Sequence, residues 1–423
     1  MGTILRNVQP LAANSPVDVR FEDTRITAVA ESPIAVQPGD DVVDGRGKIV
    51  MPGFVNAHTH LAMVLLRGLA DDVPLQVWLE DHIWPIEAKL LPEDVYWCTL
   101  LGIAEGLQSG TIGFADIYFH SDEAARAASD AGVRYLLSPG MVAPSMEAGG
   151  AAKLEATTRI IQRWHGEADG RIRGALSPHA LYTCGEDLWR ATIERAADLG
   201  VFIHTHVSET RSEVEKWREQ TGMSPVAYLD ELGAFDLPFL AAHCVHVDDE
   251  DIAILADRGV HVAHCPKSNA KLGSGIAPIN AMCEAGVRIA IGTDGAASNN
   301  RLDMVEEMRT AWILQRALHE DPMHPSAAAT VAMATESGRD LFGIETTAVA
   351  EGASADLILI DRDTIHSTPQ HDPLSTVVFA TSAFDVTDVL VDGRWLMKDR
   401  ELRTIDVERV RFEVEGLLRR YGT

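Results

Sequence analysis

The chain has 423 residues, of which 46% are apolar and 23% charged, and it carries a formal net charge of −27. Its length leaves room for an α/β barrel of about 250 residues plus a smaller unit. The negative field argues against nucleic acid or an anionic membrane as a partner. The first residues, Met1-Gly2-Thr3-Ile4-Leu5-Arg6, hold no apolar leader run, and no stretch approaches the ~18 apolar residues of a membrane span. Five widely spaced cysteines (98, 184, 244, 265, 283) without a CxxC pair suit reduced thiols, so a cytoplasmic protein is expected.

Short β-like runs open the chain: Ile4–Val8, Val17–Phe21, Arg25–Val29, Asp41–Asp44 and Lys48–Met51. Asp44-Gly45 reads as a hairpin turn, because glycine accepts the positive φ such turns need. The same texture returns at Ala355–Asp361, Val386–Val391 and, after Asp392-Gly393, Arg394–Met397. The two ends are therefore expected to build one small β-sandwich domain from residues 1–52 and 353–423.

Between them, over residues 53–352, eight apolar β-like runs alternate with helical patterns. They are Phe54–Ala57, Thr111–Ile117, Val133–Ser138, Ile172–Ser177, Val201–His204, Phe239–Ala242, Val260–Ala263 and Arg288–Ile291. One helical pattern is Leu100–Leu107, with Gly110 as its stop. Strand–helix alternation requires parallel strands with right-handed crossovers, and eight units predict a closed (β/α)8 barrel.

Catalytic groups of such a barrel gather at the C-terminal strand ends. Those ends read Asn56-Ala57-His58-Thr59-His60, Ser177-Pro178-His179, His204-Thr205-His206-Val207-Ser208-Glu209, His243-Cys244-Val245-His246 and Gly292-Thr293-Asp294-Gly295. His58 and His60 lie two apart, so a strand projects both imidazoles from one face. With His206 and Asp294 they offer four N/O ligands, enough for a zinc-type site with water. Leu176–Thr183, at the fourth strand end, has no Lys, Asp or Glu to bridge two ions, which points to one metal per chain. His204, two before His206 on the same face, is read as a core or supporting histidine. His246 is divided between packing and function, and His261 and His264 are read as ordinary core residues.

The segments PGFVNAHTH, HVSET, AAHCVHVDDE, HCPKSNAKLGSGIAPI and IGTDGAASNN together resemble the amidohydrolase superfamily. Within it they are similar to the 5′-methylthioadenosine/S-adenosylhomocysteine deaminases. The resemblance implies one Zn²⁺ held by His58, His60, His206 and Asp294. It implies that Glu209 protonates the purine N1, and that His243 and Asp294 orient and deprotonate the attacking water. Glu87 would accept the ribose hydroxyls, His179 would touch base or ribose, and Trp78 would line the nucleoside pocket. It further implies a small-molecule nucleoside as partner and assembly as a homo-oligomer. The chemistry is self-consistent: a divalent ion lowers the pKa of bound water to roughly 7, and a nearby carboxylic acid activates the aromatic carbon by protonating the ring.

One departure bears on substrate. Family members that take S-adenosylhomocysteine read roughly Leu-Leu-Thr-Arg-Gly after the third strand and grip the carboxylate with arginine forks. This chain reads Leu136-Leu137-Ser138-Pro139-Gly140, and only Lys153 stands near the second arginine position, as a point charge. Uncharged 5′ groups are the expected preference: 5′-methylthioadenosine, 5′-deoxyadenosine or adenosine. The alternatives are a guanine, pterin or triazine amidohydrolase on the same metal site, or a catalytically inactive barrel acting as a binding module.

Overall fold

The computed structural model describes residues 2–422 apart from 12, 14 and 74. Eight parallel strands form the centre: β1 (Phe54–His60), β2 (Thr111–Tyr118), β3 (Arg134–Met141), β4 (Ile172–Pro178), β5 (Phe202–Val207), β6 (Phe239–His243), β7 (His261–His264) and β8 (Arg288–Ile291). Each pairs in parallel with the next, from Phe54 opposite Thr111 to His264 opposite Ile291, with shifts of register between β1 and β2. Beyond β8 the chain re-enters the sheet at Asp294–Gly295, parallel to Thr59–His60, and closes the barrel. A two-way bond secures the closure: Asn56 Nδ2 donates to Thr293 Oγ1 at 2.7 Å, and the Thr293 N–H donates to Asn56 Oδ1 at 3.0 Å.

The crossover helices include Pro92–Gln108, Ser121–Ala131, Ala151–Trp164 and Glu186–Leu199. The expected helix over Leu100–Leu107 starts earlier, at Pro92. There the proline sits at the first turn, where its missing N–H costs nothing, and Asp94 Oδ2 accepts the Leu91 N–H at 2.9 Å.

Several barrel strands run past their apolar segments. β1 continues through His58 to His60, β3 through Pro139 to Met141, and β5 through His206 to Val207. Pairing with the neighbouring strand holds these ends extended, although the histidines, Pro139 and Gly140 among them interrupt the apolar β pattern.

The strands of the two chain ends share one mixed sheet. Leu357–Asp361 lies antiparallel to Lys48–Pro52, which pairs with the end of Gly2–Pro10. Leu5, Val8, Val19, Phe21, Ile26, Val50, Leu357, Leu359 and Leu390 form a separate buried cluster there. Arg134 on β3 ties this sheet to the barrel through Asp356 at 2.7 Å and Asp392 at 2.5 Å.

The two Asp-Gly dipeptides have different uses. Asp392 (φ 48°) and Gly393 (φ 70°) make the expected hairpin turn between Val386–Val391 and Arg394–Lys398. Asp44-Gly45 does not: Asp41–Asp44 and Lys48–Pro52 both run parallel to Gly2–Pro10 and do not pair as a hairpin. Gly45 is buried, and a Cβ there would lie 2.1 Å from Val8 Cγ1. The glycine is required by close approach.

All five cysteines are free. Among the described residues no helix is long and apolar enough to cross a membrane.

Candidate metal centre and active-site cavity

At the C-terminal end of the barrel, β1, β5, β6 and the segment after β8 place their histidines and aspartate on a common floor. His58 and His60 on β1 both turn their Nε2 atoms to one point, with Asp294 Oδ1 at 3.6 and 3.2 Å. His206 Nε2 lies 3.4 Å from His60 Nε2. Ligand atoms of His58, His60 and His206 lie within 4.8 Å of one another, and so do those of His58, His243 and Asp294.

Three backbone reversals build this floor. Ser208 (φ 52°), His243 (φ 75°) and Asp294 (φ 59°) all occupy the left-handed region, which is uncommon for non-glycine residues. Each stands at or just beyond a strand end, where the chain turns out of the sheet and leaves a side chain facing the mouth. Such conformations cost of order 1–3 kcal/mol apiece and persist where the surroundings over-determine them.

The outer nitrogens of the rings define what the inner ones offer. His60 Nδ1 donates to the Ile117 carbonyl at 2.6 Å, and His206 Nδ1 to the His179 carbonyl at 2.8 Å. A carbonyl only accepts, so the proton of each neutral ring is on Nδ1 and a lone pair is on Nε2. His58 Nε2 is buried without a hydrogen-bond partner. Converging imidazole lone pairs beside a carboxylate suit a divalent cation of the zinc class, so the residues present fit a metal.

Burial shapes the electrostatics. It pushes His58 down to about 3 and His179 to about 4, and drives His206 well below the usual imidazole value. Burial also opposes the charged form of His60, but the Asp294 carboxylate outweighs it and raises His60 to about 9, so a cation taken up by Nε2 would displace a proton from it. Burial would raise Asp294 as well, yet the nearby His58 and His60 rings hold it far below the carboxylate range.

Around the floor lies a cavity of about 460 Å³, a size suited to a small-molecule ligand. Its lining includes His60, Trp78, Glu87, His179, His206, Glu209, His243 and Asp294, so every sequence-predicted site residue except His58 borders it directly. His58 lies beneath, fully buried. Glu209 Oε2 faces His243 Nε2 at 3.9 Å. Burial raises the Glu209 carboxyl, with His243 opposing, and burial also raises Glu87. Trp78 anchors its indole N–H on the Leu69 carbonyl at 3.3 Å. Pro139 is buried and does not line the cavity, whereas Gly140, Val142 and Lys153 do. His246 stands outside the lining and bonds the Ser274 carbonyl at 2.6 Å.

Several supporting side chains have no role in a reading of the sequence. Ser268 and Ser298 donate to Asp294 Oδ2 at 2.6 and 2.9 Å, leaving Oδ1 toward the histidines. Asn269 Oδ1 meets His243 Nδ1 at 2.9 Å and turns Nε2 inward. Ser274 donates to Glu209 Oε1 at 3.4 Å. All four belong to SNAKLGSG or TDGAASNN, so the motifs contained the signal, but only Ser298, four residues from Asp294, lies near its partner; the other three have partners 26 or 65 residues away, which do not show in a linear string.

Glu307 is a further buried carboxyl, bonded by Asn299 Nδ2 at 2.6 Å and by the Lys267 N–H at 3.3 Å, and burial pushes it to about 8. A folded-state value above the unfolded one means that the folded protein holds the proton longer. Its stabilising contribution is complete below about 4.5 and is lost as pH rises through about 8. Glu307→Gln is therefore expected to gain stability relative to wild type as pH rises from 5 to 8. Denaturant unfolding of both proteins across that range checks it, and a constant difference would refute it.

The chain is similar to known proteins over most of its length. The amidohydrolase family pattern matches residues 49–396. A 5-methylthioadenosine/S-adenosylhomocysteine deaminase of Dictyoglomus thermophilum is 47% identical over 377 residues, covering 89% of this chain and 88% of that one. A 5′-deoxyadenosine deaminase of Methanothermobacter thermautotrophicus is 45% identical over 390 residues, covering 92% and 91%. The crystal structure of an adenosine deaminase from Xanthomonas campestris with bound zinc superposes with a TM-score of 0.93 at 35% identity, covering 99% and 98%. With its fold, its His/Asp cluster and these similarities taken together, the chain belongs to the amidohydrolase family.

Proposed function

We infer that the chain is a zinc aminohydrolase with one metal per chain, converting an adenosine-type nucleoside and water to the inosine-type product and ammonia. The observation that carries this reading is the convergence of two overlapping ligand groups, His58/His60/His206 and His58/His243/Asp294, with the Glu209–His243 pair and the buried Glu87 at one cavity. His58, His60, His206 and Asp294 would hold the ion. When bound, zinc supplies Lewis acidity that lowers the pKa of water into the neutral range.

The remaining steps belong to the protein. Glu209, its carboxyl raised by burial, is the carboxyl that would pass a proton to the ring nitrogen beside the amino-bearing carbon. His243 Nε2, turned inward by Asn269, orients the attacking water, and Asp294 accepts its proton. Asp294 passes the proton it took from water to the amino group, which leaves as ammonia, and the second water proton returns to Glu209 as the product carbonyl forms, so the ring nitrogen keeps the proton it was given. Glu87, with Oε1 buried and unpartnered, is placed to accept hydroxyls of the ribose. Trp78 and His179 bound the nucleoside on either side.

The outer cavity favours an uncharged 5′ group. Trp84, Phe119, Val142 and Tyr182 line it while remaining partly exposed. Among its described lining residues Lys153 is the one lysine, there is no arginine, and the Lys153 ammonium already donates to the Val142 carbonyl at 2.5 Å. A buried substrate carboxylate needs full pairing, whereas a methylthio group gains about 0.8 kcal/mol per methylene-sized unit against apolar walls.

Ammonia release from a nucleoside series tests the reading. The kcat/KM for 5′-methylthioadenosine or adenosine is expected to exceed that for S-adenosylhomocysteine by at least about tenfold, or about 1.4 kcal/mol. S-adenosylhomocysteine as best substrate, with activity collapsing in Lys153→Ala, would overturn the specificity. Guanine, a pterin or a triazine as best substrate would overturn the nucleoside assignment. Assembly into a homo-oligomer in the cytoplasm completes the proposal.

A further inference from the structure

Of the three histidines on the floor, His58 is held differently. His60 and His206 reach backbone carbonyls directly through Nδ1. Among the described residues the partner of His58 Nδ1 is another imidazole, His204 Nε2, at 3.0 Å. His204 Nδ1 in turn meets Ser138 Oγ at 2.9 Å, and the Ser138 hydroxyl reaches the Leu136 carbonyl at 3.4 Å. His58, His204 and Ser138 are each 0% exposed.

We propose that His204 and Ser138 are positioning residues that set the tautomer of His58, so that its Nε2 presents a lone pair to the metal position. The direction follows from proton counting. Leu136 offers a carbonyl, which only accepts, so the Ser138 hydroxyl donates to it. The Ser138 oxygen is then free to accept the His204 Nδ1–H. That leaves a lone pair on His204 Nε2, which accepts the His58 Nδ1–H. His58 Nε2 is left bare, and it is the atom that has no partner inside the cluster.

Reversing any bond in this chain would put a proton on His58 Nε2, pointing at the other ligands. The carbonyl of Leu136 therefore does for His58, at two removes, what Ile117 and His179 do for the other rings. Outer hydrogen bonds of this kind orient metal-binding histidines and raise their basicity. Barrel closure makes the relay: Ser138 lies on β3, His204 on β5 and His58 on β1, alternate strands that are not paired with one another but whose buried side chains meet inside the barrel.

The inference rests on the ligand set of the proposed function, and the test separates the two. Zinc and cobalt(II) affinities are measured by competition with a chromophoric chelator for wild type, His58→Ala, His204→Phe, His204→Gln and Ser138→Ala. Melting of each metal-free protein is followed in parallel. The Phe variant keeps bulk without a hydrogen bond, while the Gln carbonyl can still accept the His58 proton. His204→Phe is expected to weaken metal binding about 10–100-fold. His204→Gln is expected to recover most of that loss, and Ser138→Ala to lie between wild type and His204→Phe.

Equal affinity in His204→Phe and wild type would overturn the proposal. So would equal losses in the Phe and Gln variants that track a lowered metal-free melting temperature, the mark of a packing role. Should His204→Phe not fold, Ser138→Ala decides: a several-fold loss supports the relay, and wild-type affinity refutes it. If wild type binds no ion, or His58→Ala binds as tightly as wild type, the metal assignment itself is what fails.

Discussion

Glu209→Gln is expected to lower kcat by ~10²–10⁴ while leaving the metal content unchanged, the usual worth of a general acid–base group. The amide keeps the shape of the carboxyl and its contact with Ser274, now 3.4 Å from Oε1, but it has no proton to give the ring nitrogen. The wild-type carboxyl is suited to the task because burial raises its proton affinity, with His243 at 3.9 Å working the other way. Since Glu209 is not among the clustered ligand atoms, its loss should spare the ion. Metal analysis beside steady-state kinetics separates these effects. A variant turning over at close to the wild-type rate would remove Glu209 from the reaction, and a variant without metal would show it to be a ligand. His243→Ala should also reduce rate with the metal retained, because although His243 borders the cluster, His58, His60, His206 and Asp294 remain to hold the ion.

His206→Ala should abolish turnover and weaken zinc binding by more than the roughly 10–100-fold that loss of a supporting hydrogen bond costs. His206 Nε2 faces His60 Nε2 across 3.4 Å, and its own Nδ1 is fixed by the His179 carbonyl, so the ring is aimed before any ion arrives. Removing it leaves His58, His60 and Asp294 crowded on one side of the floor and opens the ion to the cavity. Exhaustive chelation of the wild-type protein should have the same outcome, reversed by about one equivalent of zinc. Activity that survives chelation would refute a metal-dependent reaction, and a requirement for two equivalents would refute the single-metal site. The absence of Lys, Asp and Glu from Leu176–Thr183 is the reason for expecting one.

What could be read without a structure was whatever depends on local spacing. Alternating apolar runs and helical patterns specify a parallel barrel because the crossover has one favoured hand. His58 and His60 were legible as a pair because side chains on a strand repeat every two residues. The motifs around His206, Glu209, His243 and Asp294 carried the rest of the candidate site through their family likeness. The local signal failed at Asp44-Gly45, where a dipeptide typical of turns is there to let Val8 approach, since nothing near it in the chain reports that contact. It also stopped short of His60, Met141 and Val207, because histidine, proline and glycine interrupt the apolar pattern there and pairing with the next strand carries the extended chain past them.

Tertiary structure alone decided which atom of each side chain faces the metal. The groups that orient the rings are the carbonyls of Ile117, His179 and, through Ser138 and His204, Leu136. A backbone carbonyl has no residue identity to read from a sequence, and it becomes a specific hydrogen-bond acceptor only when the barrel closes and brings it beside an imidazole.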